Sequence, residues 1–155
     1  MGGGGRRPGQ NEGTRIMADH ARTVQDIYEA FGRGDVPFIL ERLDEDIVWD
    51  EGIRDTGLAY LRPGHGRDHV GEFFGALATT VRFDVFEPVS ICVGGDTVTA
   101  IIREAGQNIQ SGRNIDQDLV VHVWTFGSDG KVASFRHIGD FALHERAAVA
   151  HDANV

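Results

Sequence analysis

Titratable side chains set among apolar, strand-forming neighbours are the places in this sequence where proton transfer could be built. Asp50 and Glu51 close the run Ile47-Val48-Trp49, and alternation puts Ile47, Trp49 and Glu51 on one face. Partial burial raises the pKa of such a carboxylate toward neutrality, so that it can take a proton from a carbon next to a carbonyl. A bulge would shift the register and present Asp50 instead, and an acid exposed at a strand end is the plain alternative. His122 lies within Val120-Val121-His122-Val123-Trp124. Its imidazole titrates near physiological pH and can shuttle a proton or donate a hydrogen bond to a carbonyl oxygen, while a core histidine satisfied by a polar neighbour fits the same pattern.

Arg136, His137 and Asp140 follow near the end of the chain. Alternation groups His137 with Phe135 and Gly139, and Arg136 with Asp140 on the opposite face, so all three line one pocket only if the strand bends. An Arg136–Asp140 surface or interface pair is the simpler reading. Arg103 and Glu104 interrupt an apolar strand, so at least one of them should face a pocket or a subunit interface. An arginine beside a carboxylate would suit epoxide hydrolysis, in which acids activate water and the epoxide oxygen is protonated, but no second acid completes that set. Trp49, Phe73, Trp124 and Phe135, at inward positions, would wall a pocket for a flat apolar ligand, a spacing that plain core also shows.

Other chemistries find less support. No His, Asp or Glu cluster has metal-ligand spacing, and there is no P-loop or dinucleotide fingerprint, so no metal and no cofactor are expected. Cys92 is the single cysteine, so neither an intrachain disulfide nor a thiolate metal site can form, and a cytoplasmic setting is expected. A net charge of -9, from 24 acidic against 15 basic residues, opposes a nucleic-acid partner. No apolar run approaches the ~18 residues that would cross a bilayer, so no membrane association is expected.

The elements that must position these residues can be read from periodicity. The 155 residues, with a mean hydropathy of -0.24, suit one core. Residues 1–17 read as a disordered extension, 18–148 as the folded domain and 149–155 as a flexible tail. Val24, Ile27, Tyr28 and Phe31 recur at helical spacing, Gly32 and Gly34 stop that helix, and Asp35 can cap a short second one. A strand over Ile47 to Glu51, a loop from Arg54 to Gly66 and a third helix from Arg67 to Thr79 come next. Four strands follow, Val81 to Val93, Thr97 to Ile109, Ile115 to Phe126 and Val132 to Asp140, joined by short polar turns, and then a closing helix over Ala142 to Ala150. Helices gathered ahead of an antiparallel meander make an α+β fold, with helices covering the concave face of a curved sheet.

This order, together with Tyr28-Glu29-Ala30-Phe31 before Gly34-Asp35, Asp46-Ile47-Val48-Trp49, Gly66-Arg67-Asp68 leading to Glu72-Phe73-Phe74, Ser111-Gly112-Arg113, and His122 upstream of Asp129-Gly130-Lys131-Val132, resembles the SnoaL-like and ketosteroid isomerase-like branch of the nuclear transport factor 2-like superfamily. The resemblance covers about residues 20 to 147. It implies a cone-shaped sheet with an apolar pocket on its concave face and a homodimer through its convex face. In the third meander strand Asp118, Val120, His122, Trp124 and Phe126 would face the pocket, and Leu119, Val121, Val123 and Thr125 the partner.

By the same resemblance Glu51 occupies the position of the isomerase base, and His122 that of the acid which hydrogen-bonds the developing enolate. SnoaL-like proteins carry a functional aspartate near the C-terminal end of the last strand, which makes His137 and Asp140 candidates. The position of the isomerase's oxyanion tyrosine is Ile27, with Tyr28 one step away, so steroid isomerisation itself is not implied. The expected activity is cofactor-independent acid/base catalysis, of isomerase, aldol cyclase or dehydratase type, on a small hydrophobic carbonyl or polyketide-like compound. Asp50, Glu51, His122, His137 and Asp140 would be its catalytic candidates. Tyr28, Trp49, Phe73, Arg103, Trp124 and Phe135 would contact the substrate. Two other readings stand beside it. A non-catalytic binding or dimerisation module would leave Glu51 in solvent and tie His122 to a structural partner. An epoxide hydrolase would need two acids flanking Arg103 in the pocket.

Overall fold

A computed structural model describes residues 8–149 of the chain. The helix α1 (Pro8–Gly32) buries Val24, Ile27, Tyr28 and Ala30 along one face. It starts well before the expected boundary, so residues 8–17, read from sequence as disordered, belong to it; residues 1–7 and the tail from 150 onward lie outside the described residues. Extension is cheap once Val24 to Phe31 is pinned by packing, because each further residue adds a backbone hydrogen bond without a new nucleus. Glu12, Arg15, Met17 and Ala18 are also good helix formers.

Gly34, at a φ of 74°, turns the chain, and the Asp35 carboxylate accepts the Phe38 N–H to cap α2 (Val36–Glu41), as the sequence indicated. Next come β1 (Leu43–Trp49), a two-residue β2 (Gly64–His65) that the sequence reading placed in a loop, and α3 (Gly66–Thr80). The meander is β3 (Val81–Gly94), β4 (Thr97–Asn108), β5 (Gln117–Phe126) and β6 (Val132–Ile138), closed by α4 (Phe141–Ala148). The six strands form one sheet in the order β2-β1-β6-β5-β4-β3; β1 lies parallel to β6 and every other pair is antiparallel.

Bulges between Phe83 and Val85, between Pro88 and Ser90, and between Ile102 and Glu104 bend the long strands, so the sheet curves without closing. At the first of them any side chain on Gly106 would collide with the Arg82 carbonyl, so the close approach of β3 and β4 requires glycine. Alternation along β5 holds from Leu119 onward, but the extra β5 residue between Gln117 and Val120 breaks it before that, so Asp118, expected to face the pocket, is exposed. Val120, His122, Trp124 and Phe126 are buried on the concave side, whereas Leu119 is 65% exposed on the other.

Val24 and Ile27 of α1 and Val70 and Phe74 of α3 pack against Trp49, Val98, Ile102 and Trp124 of the sheet. A second cluster, built from Tyr60, Leu61, Leu77, Ile115 and Ala147, fills the end covered by α4 and the loop after β1. Between the two lies the site. Among the described residues no helix is long and apolar enough to cross a membrane.

Candidate active site

The site begins where β1 ends. Trp49 pairs with Phe135 of β6, and the Asp50 N–H extends that pairing to the Phe135 carbonyl at 2.8 Å. Asp50 then adopts a φ of 52°, a left-handed conformation that aspartate tolerates better than most residues. This turn breaks the alternation one residue before Glu51. Glu51 is therefore exposed in the turn and does not line the cavity, a correction to the expected base. Asp50 is fully buried instead, the alternative that the sequence left open.

The Asp50 carboxylate grips His137 twice. Its Oδ1 accepts the His137 backbone N–H at 2.7 Å, and its Oδ2 lies 3.0 Å from His137 Nδ1. A carboxylate can only accept, so Nδ1 carries the hydrogen, and in the neutral ring the Nε2 lone pair is left as the basic atom. His137 lines the cavity, with Asp50 behind it.

His122, opposite His137 in the β5–β6 register, is held differently. The Trp124 Nε1–H donates to the Tyr28 hydroxyl at 3.0 Å, which leaves the phenol proton for His122 Nδ1 at 2.8 Å. In this network Nδ1 is the acceptor and Nε2 carries the hydrogen. Burial, and secondarily the charge of a protonated His137, push the His122 pKa well below its usual value, so the ring is neutral at pH 7. Burial also raises the Tyr28 pKa, so its hydroxyl keeps its proton.

A third group comes from β4. Alternation along β4 puts Glu104 on the same inward face as Val98, Ala100 and Ile102, while Arg103 points away and is exposed, so Arg103 does not contact the cavity as expected. Two acids flanking Arg103 inside the pocket, the arrangement that epoxide hydrolysis would need, are therefore not formed. Burial raises the Glu104 pKa to about 6; His137 and the hydrogen bond from Gln117 oppose that rise. The Gln117 Oε1 accepts the Asp140 N–H at 2.7 Å, which orients its amide group to donate to Glu104 Oε1 at 2.9 Å and to His144 Nε2 at 3.1 Å. With Nε2 accepting, His144 Nδ1–H donates to the Tyr60 hydroxyl at 2.9 Å. Burial, and next His137, lower the His144 pKa to about 4, against the pull of Asp140, so its 3.9 Å approach to Glu104 is no ion pair at neutral pH.

Asp140 itself is outside. Its carboxylate caps α4 through the Leu143 N–H, and its ion-pair partner is Arg146 at 3.8 Å, not Arg136. The strand has already ended, so Asp140 does not line the cavity as expected, and only its backbone N–H bears on the site, by positioning Gln117.

Aromatic rings complete the walls. Trp49 stacks on Phe135 with centroids 4.1 Å apart, and Trp124 and Phe73 flank them at 4.5 Å from Phe135 and 5.1 Å from Trp49. Trp49 Nε1 is buried with no hydrogen-bond partner among the described residues. The cavity holds about 80 Å³ and brings together the expected Tyr28, Trp49, Phe73, His122, Trp124, Phe135 and His137 with further apolar side chains and three polar residues not assigned to the site from sequence, Tyr60, Glu104 and His144. Among the described residues no three His, Cys, Asp or Glu side chains converge as a metal site.

A family model for the SnoaL-like domain matches residues 24–135. Among solved structures, an NTF2-like protein of unknown function from Burkholderia pseudomallei is 26% identical with a TM-score of 0.75, over 85% of this chain and 98% of that one. A protein provisionally named a SnoaL-like polyketide cyclase, from Mesorhizobium loti, is 18% identical with a TM-score of 0.62, over 77% and 97%. One provisionally named an isomerase, from Bacillus subtilis, is 16% identical with a TM-score of 0.69, over 85% and 94%. No curated protein sequence matches.

Proposed function

Because the chain belongs to the SnoaL-like domain family, we propose that it is a cofactor-independent acid/base enzyme, of isomerase, aldol cyclase or dehydratase type, acting on a small hydrophobic carbonyl or polyketide-like compound. The observation that carries this reading is the Asp50–His137 pair opening on an aromatic cavity that also receives His122 and Glu104. His137 Nε2 takes the proton from the carbon next to the carbonyl, and Asp50 stabilises the imidazolium that results. The C–H electron pair moves into the enolate, whose oxygen accepts the His122 Nε2–H. His137 then returns the proton to a different carbon, or Glu104, when protonated, gives its proton to a departing hydroxyl that leaves as water. The provisional names of the cyclase and isomerase neighbours accord with this class of chemistry.

The test is deuterium exchange into the acetyl methyl group of acetophenone in D₂O. The protein should accelerate it, and His137→Gln should remove the acceleration by roughly 100-fold or more, the scale of a positioned base. Exchange unchanged by His137→Gln would sink the assignment.

A second reading, a non-catalytic binding module, draws on two observations: Glu51 lies in solvent, and His122 Nδ1 is tied to Tyr28. In that case acetophenone binds without exchange. For assembly, we propose a homodimer through the convex face, where Leu119 and Ile138 are 65% and 52% exposed beside half-buried Val121 and Val123.

A further inference from the structure

The inner chamber is small for a ligand pocket. At about 80 Å³ it falls below the roughly 300–1,000 Å³ usual for a pocket that encloses a drug-sized molecule. A larger groove of about 430 Å³ adjoins it, bounded by the end of α1, the start of α2, the last turns of α3 and the first half of β3. Six side chains, Tyr28, Phe31, Phe74, Leu77, Phe83 and Phe86, line both spaces and so form the partition between them. The rings within it touch: Phe31 lies 4.8 Å from Phe86, and Phe86 lies 5.5 Å from Phe83.

The two spaces differ in chemistry. The titratable side chains His122, His137, Glu104 and His144 all face the inner chamber, whereas among the described residues the sole charged side chain lining the groove is Asp84, which is exposed and already paired with Arg82 at 3.4 Å. The groove wall therefore offers mainly apolar surface to a ligand.

From this division we propose that the ligand is bipartite, with a compact carbonyl-bearing head in the inner chamber and an uncharged apolar tail, alkyl or aryl, that passes the Phe31–Phe83–Phe86 partition into the groove. The proposal rests on the acid/base reading for what the head is; the tail is argued from the aromatic wall that the two spaces share and from the mainly apolar lining of the outer one. Substrates limited to the head bind weakly, because they leave the larger apolar surface wet.

The experiment measures binding of acetophenone and its 4-ethyl, 4-butyl, 4-hexyl and 4-octyl derivatives by quenching of intrinsic tryptophan fluorescence. Both tryptophans of the chain, Trp49 and Trp124, line the inner chamber and report the head directly. Affinity should rise about threefold for each methylene added, as expected for apolar burial. Ala78→Phe and Gly32→Phe, from opposite walls of the groove, should abolish that gain and leave the Kd of acetophenone within about twofold. Ala78 is exposed, and a Cβ on Gly32 meets nothing within 4 Å, so both variants can fold. A Kd independent of tail length, a gain that survives both substitutions, or no binding by any member of the series would each overturn the proposal. Tail-dependent binding without proton exchange would instead overturn only the acid/base reading.

Discussion

Asp50 holds His137 by both ends of its carboxylate, one oxygen on the backbone N–H at 2.7 Å and the other on Nδ1 at 3.0 Å. The grip fixes the ring and its tautomer together, as a base in an apolar cavity requires. Asn in place of Asp50 tolerates the left-handed backbone and can still accept from the His137 N–H. Its amide group then faces Nδ1 and forces that nitrogen to accept, which moves the hydrogen to Nε2. Asp50→Asn should therefore keep the fold and lose roughly 100-fold or more of acetophenone exchange, with ¹⁵N shifts of His137 reporting the tautomer change. Unaltered shifts with full activity would refute the role given to Asp50.

Tyr28 ties His122 to Trp124 across the helix–sheet interface. Tyr28→Phe leaves two buried nitrogens, His122 Nδ1 and Trp124 Nε1, without their partner. The expected cost is about 2 kcal/mol in urea unfolding, together with loss of the Nε2–H preference of His122 by NMR. A stability change under about 0.5 kcal/mol would mean that the network is not formed.

Architecture was legible because it rests on period: the 3.6-residue spacing in α1 and α3 and the two-residue spacing through β3 to β6 each recur over many positions. The site was legible where it lies within those periods, as His122, Trp124 and Phe135 do. It failed where period breaks. Glu51 was misplaced because a single left-handed residue, Asp50, ends the alternation, and no local signal short of that conformation marks it. Glu104, by contrast, keeps the two-residue period of Val98, Ala100 and Ile102; the sequence marked the Arg103-Glu104 pair as interrupting an apolar strand without separating the two. His144 and Tyr60 reach the cavity from a short helix and a loop, whose placement depends on tertiary packing, although His144 and Ala147 do share the buried face of α4.

Glu51 and Asp140 provide the converse test. Glu51→Gln should leave exchange within about twofold of the parent protein, as expected for an exposed acid away from the reacting atoms. Asp140→Ala should lose the α4 cap, about 1 kcal/mol, with exchange again little changed. A large loss of exchange in Glu51→Gln with normal stability would return the base to the position first expected from sequence.

The convex face gives a test by size. Val123→Asp puts a charge in the middle of that face, next to Arg136 and Thr99 in the register. If the face is a dimer interface, sedimentation should show dimer for the parent chain and monomer for the variant. A parent chain that sediments as a monomer at high concentration would remove the interface.

Glu104 makes stability depend on pH in a direction that can be worked out. Its carboxyl titrates at about 6 in the folded chain against 4.5 for the free group, because burial disfavours the charged form. Below pH 4.5 the group is protonated in both states and costs nothing. Between pH 4.5 and 6 the unfolded chain releases the proton while the folded chain keeps it, so stability falls as pH rises; above 6 the loss is complete, at about 2 kcal/mol. His144, lowered to about 4, works the other way, since the unfolded chain takes up its proton first as pH falls below 6.5. The two opposing slopes hide each other in the parent protein alone. Glu104→Gln retains an oxygen to accept from Gln117 and leaves His144 in place, so the histidine contribution cancels in the difference between the two proteins. That difference should shift by about 2 kcal/mol in favour of the Gln variant between pH 4 and pH 7, measured by urea unfolding at each pH. A difference that is flat across this range would mean that Glu104 is not buried as a proton-holding acid, and would remove it as the donor to a departing hydroxyl.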